Sequence, residues 1–335
     1  MYFIGAIPES IALNHAILLI CLRSVKASTK GFMIKNVRRL FAALSFRTVP
    51  TAPFLAATAL YFFMAPPTLA GGDEAGWKKA ESADQYPALY SDDFIDSLLE
   101  VKNASIARNW RTLDSPSFVK GEKLVYTLGW GPLHAGFAIL TTRPDTADGE
   151  LSIIGKGATN SFFSSFYKVR DCFRTIVDAR GIYPLFFDQH IREGNFRAER
   201  WDLYDQVDNR VFTERKKPPF YRNKPFAQSL LSCVYYVRTL SFAPGDTLRV
   251  DCFVDTMCHA VVMKCMERKI IAVPAGAFDC LLVKPYLVGK GRVFSKKDDI
   301  RVWFTDDAYK MPVLIESKIT WGTLYARLIW YSRIE

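Results

Sequence analysis

From Lys120 to the C-terminus, apolar and polar positions alternate in short runs separated by Gly, Pro, Asn and Asp, which predicts hairpin-linked antiparallel strands. Gly121–Trp130 (GEKLVYTLGW) is the first, with Leu124, Tyr126 and Leu128 on one face, and Gly131-Pro132 turns it into His134–Thr142. Further strands read as Glu150–Ala158, Val169–Asp178, Pro184–Arg192, Phe196–Asp205 and Arg210–Arg215, the last two joined by the turn Val207-Asp208-Asn209. A second set reads as Thr247–Asp255, His259–Lys269, Gly276–Val288, Ile300–Phe304, Val313–Thr320 and Gly322–Tyr331. About a dozen strands are too many for one comfortable flat sheet, so curvature toward a barrel or half-barrel is expected.

Two segments break the period of two. Pro225–Leu240 (PFAQSLLSCVYYVRTL) places Leu230, Val234 and Val237 on one helical stripe, with proline at its entry. Ser161–Tyr167 (SFFSSFY) is a shorter aromatic turn or helix. Each is suited either to covering an open end of a barrel or to plugging its core. Upstream, Gly71–Pro116 is polar and weakly patterned, with a helix expected near Asp92–Ala107, capped by Ser91 and packed outside the main domain.

The chain before this leader has a different character. Thr48–Gly72 contains no charge, Phe54–Ala65 (FLAATALYFFMA) is compact and apolar, and Lys35, Arg38, Arg39 and Arg47 precede it, which is the order of a secretory signal. Pro66-Pro67 stops any helix, and Thr68-Leu69-Ala70 offers small side chains for cleavage after Ala70. The run from Pro50 to Ala65 contains Pro53 and falls short of the ~20 apolar residues of a spanning helix, which favours a cleaved signal over an anchor. Translation from Met33 makes that signal more natural and leaves residues 1–32 as an upstream extension. The expected division is therefore 1–70, extension and signal; 71–119, polar leader; and 120–335, one antiparallel β domain.

The formal charge of +10 suggests an acidic partner until its distribution is read. Residues 1–70 carry seven basic side chains against one acid, so +6 belongs to the targeting region and +4 to everything after it. Nucleic acid is accordingly not an expected partner. Six cysteines follow residue 70: Cys172, Cys233, Cys252, Cys258, Cys265 and Cys280. An even number in an oxidising compartment permits disulfides, whereas each lies in an apolar strand or helix where a free thiol packs as a small hydrophobe.

The signatures HExxH, paired CxxC, GxSxG and the Walker phosphate loop are all missing, and no catalytic residue, cofactor or metal is predicted. Cys258-His259 with Cys265 offers soft ligands, but Cys258 and Cys265 differ by an odd number and point to opposite faces of one strand. Asp306-Asp307, ahead of Tyr309, Lys310 and Pro312, reads as a turn whose carboxylates accept local backbone N–H groups. Arg170-Asp171 and Arg192-Glu193, followed by Arg197, Glu199 and Arg200, form the densest charged constellations. They suit either a polar head group or, more commonly, a cross-strand ladder of ion pairs.

Taken in order, GEKLVYTLGWGPLHAG, KVRD, PLFFDQHIREGNFRAER, SLLSCVYYVRTL, GDTLRVDCFVD, VWFTDD and PVLIESKITWGTLYARL resemble the bacterial family catalogued as domain of unknown function 3108. The resemblance runs from about Lys120 to the C-terminus. It implies an exported protein, periplasmic or associated with the outer membrane of a bacterium, and supplies no catalytic residues. The strand pattern is also similar to the half-barrels of periplasmic lipoprotein carriers, in which a curved sheet and covering helices enclose an apolar cavity; that is an architectural analogy.

Three readings result. The first is a carrier for a lipid or a lipoprotein's acyl chains, lined by Tyr126, Trp130, Phe162, Phe163, Phe166, Tyr235, Trp303 and Trp321, with Arg170, Asp171, Arg192 and Glu193 toward the head group. The second is a structural or assembly factor that contacts another envelope protein. The third is a hydrolase using Asp171, Glu193 or Asp307, which requires two carboxyls to converge in one cleft.

Overall fold

The structure, a computed structural model, describes residues 74–332 apart from 82–85, 103, 106–109, 114–120, 146–148, 166, 216–217, 289–298 and 320–321. The expected signal segment thus lies outside the described residues, as do Phe166 and Trp321. Fourteen strands occur among the described residues. The first group is β1 (Lys123–Trp130), β2 (Leu133–Pro144), β3 (Glu150–Thr159), β4 (Arg170–Asp178), β5 (Pro184–Glu193), β6 (Phe196–Asp205), β7 (Arg210–Thr213) and β8 (Tyr221–Arg222). The second is β9 (Thr247–Val254), β10 (Met257–Val273), β11 (Gly276–Val288), β12 (Asp299–Thr305), β13 (Pro312–Ile319) and β14 (Gly322–Ser332).

All belong to one sheet, in the order β8-β7-β6-β5-β4-β3-β2-β1-β14-β13-β12-β11-β10-β9. Each group is a meander of sequential hairpins, and antiparallel pairing of β1 with β14 (Leu128 opposite Ala326) joins the two. That join leaves β8 and β9 as the outer strands. The sheet then curls until these edges approach. Gln228, in the connection between β8 and β9, makes a parallel bridge to Cys252, its N–H donating to Asp251 O at 2.7 Å and its carbonyl accepting from Phe253 N–H at 2.8 Å. The rings of Tyr204 on β6 and Tyr221 on β8 both lie 6.2 Å from Phe253, and Arg200 meets Asp255 across the same seam at 3.5 Å. The expected mainly β, curved antiparallel sheet is therefore present, with an extra strand, β8, too short to leave a period in the sequence.

Among the described residues four helices accompany the sheet: α1 (Glu74–Glu81), α2 (Asp92–Lys102), α3 (Ser161–Ser164) and α4 (Leu230–Arg238). The expected proline entry to α4 gives way to a serine box. The Ser229 hydroxyl accepts from Ser232 N–H at 3.1 Å, the Ser232 hydroxyl accepts from Ser229 N–H at 2.9 Å, and Pro225-Phe226 form a turn before it. Residues Leu231 to Tyr235, with Val237 and Arg238, are all buried, so the helix has almost no polar face to present to water. A helix apolar nearly all round belongs inside, and Leu231, Cys233, Val234, Tyr235 and Val237 join Leu124, Tyr126, Ile153, Phe173, Met263, Val302 and Phe304 in one core.

The leader covers the opposite face of the sheet. Trp77 and Ala80 of α1 pack on Val125, Phe137, Ile139 and Ala158. Ile95 and Leu98 of α2 pack on Ile176, Phe186, Trp201 and Leu203. Ser91 caps α2 as its sequence position suggests, accepting from Phe94 N–H at 3.3 Å. Helix α1 carries too few residues for its amphipathic stripe to stand out from a polar leader.

Candidate functional site

Of the eight aromatic residues expected to line a cavity, the six that are described, Tyr126, Trp130, Phe162, Phe163, Tyr235 and Trp303, do not gather around one. Tyr126 and Tyr235 do point inward, yet both are fully buried; Tyr126 Oη donates to Pro312 O at 2.7 Å, and the Tyr235 ring lies 5.0 Å from the Arg238 guanidinium. Val302 and Phe304 line a small void beside α4, and Trp303 between them is buried in the same hydrophobic cluster. Phe162 is 66% exposed on α3, Phe163 is half-buried there, and Trp130 is half-buried at the end of β1. The space expected to receive a ligand is occupied by α4.

Within that filled interior, Arg238 and Glu122 form a two-pronged ion pair with both N–O distances at 2.7 Å and both side chains fully buried. Arg238 Nε also donates to Tyr309 O at 3.1 Å, so the last turn of α4 is tied to the residue just before β1 and to the β12–β13 turn together. Two voids border the helix, of about 30 and 10 Å³. Small-molecule sites typically hold roughly 300–1,000 Å³, so neither accommodates an acyl chain.

The larger void lies at the seam and is a polar crevice. Phe187, Leu230, Phe253 and Val254 form its floor, with Gln189, Arg200, Asp202, Glu214, Arg215 and Asp255 around it. Burial, followed by the neighbouring carboxylates of Glu214 and Asp255, holds the Asp202 carboxyl well above the usual aspartate range, against the opposing pull of Arg200 and Arg215. Folding therefore favours protonated Asp202. The folded state retains a proton that the unfolded state releases, so stability falls as pH rises from the ordinary aspartate range to the raised folded value. Asp202→Asn is expected to raise the thermal midpoint at pH 8 and to flatten its pH dependence above pH 4, as read by circular-dichroism melts across a pH series.

The charged constellations of β4 and β5 come together as neighbours. Asp171 Oδ1 accepts from Arg192 N–H at 2.9 Å, Arg170 donates to Thr159 O at 3.1 Å, and Arg192 pairs with Glu199 across strands β5 and β6. Asp171 and Glu193 are buried, and after burial itself their charges help push the Tyr167 hydroxyl up to about 12. Asp307 is elsewhere, accepting from Thr305 Oγ and from the N–H groups of Tyr309 and Lys310, the turn role that its sequence suggests. Asp307 therefore stands apart from Asp171 and Glu193, which lie close together near Tyr167.

A second buried charge cluster was not expected from the sequence. Arg174 donates through Nε to Asp188 Oδ1 at 3.2 Å and through Nη2 to Tyr90 O at 2.8 Å, while Asp188 Oδ2 accepts from Tyr90 N–H at 3.2 Å. His190 lies beside Asp188 with Nε2 3.4 Å from Oδ2 and sits directly opposite Cys172 in the β4–β5 register. A Cys, His and Asp so placed invite a comparison with thiol catalysis, but burial pushes the Cys172 thiol up to about 12, the reverse of activation. The cluster's strand positions alternate as solvent-facing residues do. What buries them is Tyr90, which arrives from the leader.

Fold and interior together define a class: an antiparallel, nearly closed β-sheet wrapped around its own helix. The chain belongs to the family described as protein of unknown function, DUF3108, whose model matches residues 125–329, more than half of the sequence. Among solved structures it is similar to a β-barrel-like protein of domain of unknown function DUF1849 from Brucella abortus, at 8% identity and a TM-score of 0.47, over 65% of this chain and 99% of that one. It is also similar to a Bacteroides fragilis protein with a YmcC-like fold, at 10% identity and a TM-score of 0.32, over 67% of this chain and 100% of that one. Comparison with curated proteins returned no match.

Proposed function

We propose that this protein is an exported, non-catalytic module of the bacterial envelope that acts through its outer surface, by contact with another envelope protein, rather than by carrying a ligand inside. The observation that carries this reading is the occupation of the sheet's interior by α4, anchored through the Arg238–Glu122 pair. A carrier needs an emptiable cavity, and withdrawing α4 would expose its apolar sides and separate two buried charges. Export is supported by the basic, apolar and small-residue succession over Lys35–Ala70.

The β10–β11 hairpin is the contact region to probe. It runs beyond the last β9 pairing, at Lys264 with Thr247, as far as Val273 opposite Gly276. Along that extension Met266 and Ile270 are 47% and 69% exposed. A photo-crosslinking side chain at position 270, introduced in the full chain and activated in whole cells, is expected to give one adduct of constant mass containing an exported protein. The same probe at Val207, also exposed, is expected to give none. Lipid adducts at position 270, or equal labelling at both positions, would refute action through this hairpin on a protein partner.

A further inference from the structure

Arg111 of the leader reaches the place where the β4–β5 turn meets α4. Its guanidinium lies 4.4 Å from the ring centre of Tyr236, 4.8 Å from that of Phe226 and 5.7 Å from that of Tyr183. Arg111 Nε and Nη2 donate to Gly181 O at 2.8 and 2.5 Å, and Nη2 also donates to Ile182 O at 3.1 Å. No carboxylate among the described residues is ion-paired with it, whereas Arg238, Arg174 and Arg210 each have one. Ring faces and carbonyl oxygens hold this cation.

The backbone around the guanidinium is strained. Ile182 has φ 47° and Phe226 φ 57°, left-handed values that β-branched and bulky residues rarely adopt. Both are braced: Asp178 Oδ1 accepts from the N–H groups of Arg180 and Gly181 at 3.0 and 2.6 Å, and Phe226 N–H donates to Gln206 Oε1 at 3.3 Å. Strained residues of this kind gather at ligand clamps, where the surrounding fold over-determines them. The turn is also cleared for a passing chain. A Cβ on Gly181 would come 2.5 Å from Arg111 O, Leu113 N–H donates to Arg180 O at 3.0 Å, and Trp110 N–H donates to Tyr183 Oη at 3.3 Å. Trp110–Leu113 therefore sits as a bound peptide does, with backbone hydrogen bonds at both ends and one side chain in a pocket.

We propose that Tyr183, Phe226 and Tyr236, with the Gly181 and Ile182 carbonyls, form a recognition site for the arginine of an extended segment on a partner protein, and that Arg111 of the leader is its occupant in cis. Two features specify arginine. Three ring faces favour a cation, and the carbonyls call for N–H donors in a planar fork, which a lysine ammonium does not present and a quaternary ammonium lacks altogether. Two positions beyond the arginine, Leu113 packs against the main core, so the segment's second requirement is an apolar residue there. The inference rests on the contact-module reading above and names what a partner presents, yet its test involves neither export nor the β10–β11 hairpin.

The probe is the synthetic peptide Trp-Arg-Thr-Leu, the sequence of residues 110–113, capped at both ends and titrated into the purified full chain. Binding is read as a saturable rise in the thermal midpoint. Arg111→Ala empties the site, and this variant is expected to bind the peptide at least about tenfold more tightly than the native protein, whose own arginine competes for the same place. Replacing the peptide's arginine by citrulline, its neutral isostere, or by lysine should weaken binding to the emptied variant at least about tenfold, as should adding Tyr236→Leu. Circular dichroism checks that each variant is folded. Where Arg111→Ala is not, Arg111→Gln, which has an amide in place of the guanidinium, is used instead. No saturable binding to the folded, emptied variant, binding indifferent to citrulline, or equal binding to native and emptied protein would overturn the site. Peptide binding as expected, with no protein adduct at position 270 in cells, would overturn the hairpin contact and leave this site standing.

Discussion

Arg238→Ala is expected to destabilise the protein by about 3–5 kcal/mol, because it leaves the Glu122 carboxylate buried without its partner. Urea unfolding of the full chain, followed by tryptophan fluorescence, should show the midpoint falling with little change in slope. The loss comes mainly from the orphaned charge and less from the pair's own net worth, so a second substitution should reverse much of it. Glu122→Gln in the Arg238→Ala background is expected to recover a large part of the lost stability, and the apolar pair Glu122→Leu with Arg238→Met to come within about 1–2 kcal/mol of the native protein. A single mutant within about 0.5 kcal/mol of the native protein would mean that Arg238 and Glu122 reach water, and that α4 is not held in the interior as described.

Phe253→Ala should be nearly as severe, at about 3–5 kcal/mol for a fully buried aromatic side chain. Here the effect is directional as well as large. Phe253 is the ring against which Tyr204 and Tyr221 rest, and its backbone N–H donates to Gln228, so it stands where the two edges of the sheet meet. Hydrogen exchange is expected to accelerate first in β8, β9 and the Gln228 connection, with the β1–β2–β14 centre protected until global unfolding. Uniform acceleration across the sheet would show that the seam is not a separate weak point. Phe253→Leu retains most of the apolar volume and should lose under half as much stability.

The strands were legible because each records its pairing in residues two apart. Leu124, Tyr126 and Leu128 face the interior together, while Val125 between them packs beneath α1. The limits of β6 and β11 coincide with the alternating runs, and β10 runs on to Val273, past a bulge between Cys265 and Arg268 that shifts its alternation. Helix α4 was legible as a helix but not as the filling of the barrel. Its stripe of Leu230, Val234 and Val237 suits a lid equally well, and the difference lies in Ser232, Cys233, Tyr235 and Arg238, buried on the remaining sides.

Less of the candidate site could be read. Tyr126 and Tyr235 lie in the interior core, and the volume left around them depends on what arrives from elsewhere in the chain. Arg238 reaches Glu122 across 116 residues of sequence, and Tyr90 reaches Asp188 across 98. No local pattern encodes either contact. Asp202 and Glu214 meet through the β6–β7 hairpin, where Asp202 is paired with Thr213, and Asp255 in the β9–β10 turn reaches them only through sheet closure.

Native mass spectrometry of the full chain, released gently from the envelope fraction, tests most directly whether the protein's own helix takes the place of a ligand. The expected spectrum shows the processed polypeptide at its bare mass, with solvent extraction recovering no stoichiometric lipid. A discrete adduct of acyl-chain mass, released by unfolding and regained on refolding with lipid, would contradict a barrel filled by α4.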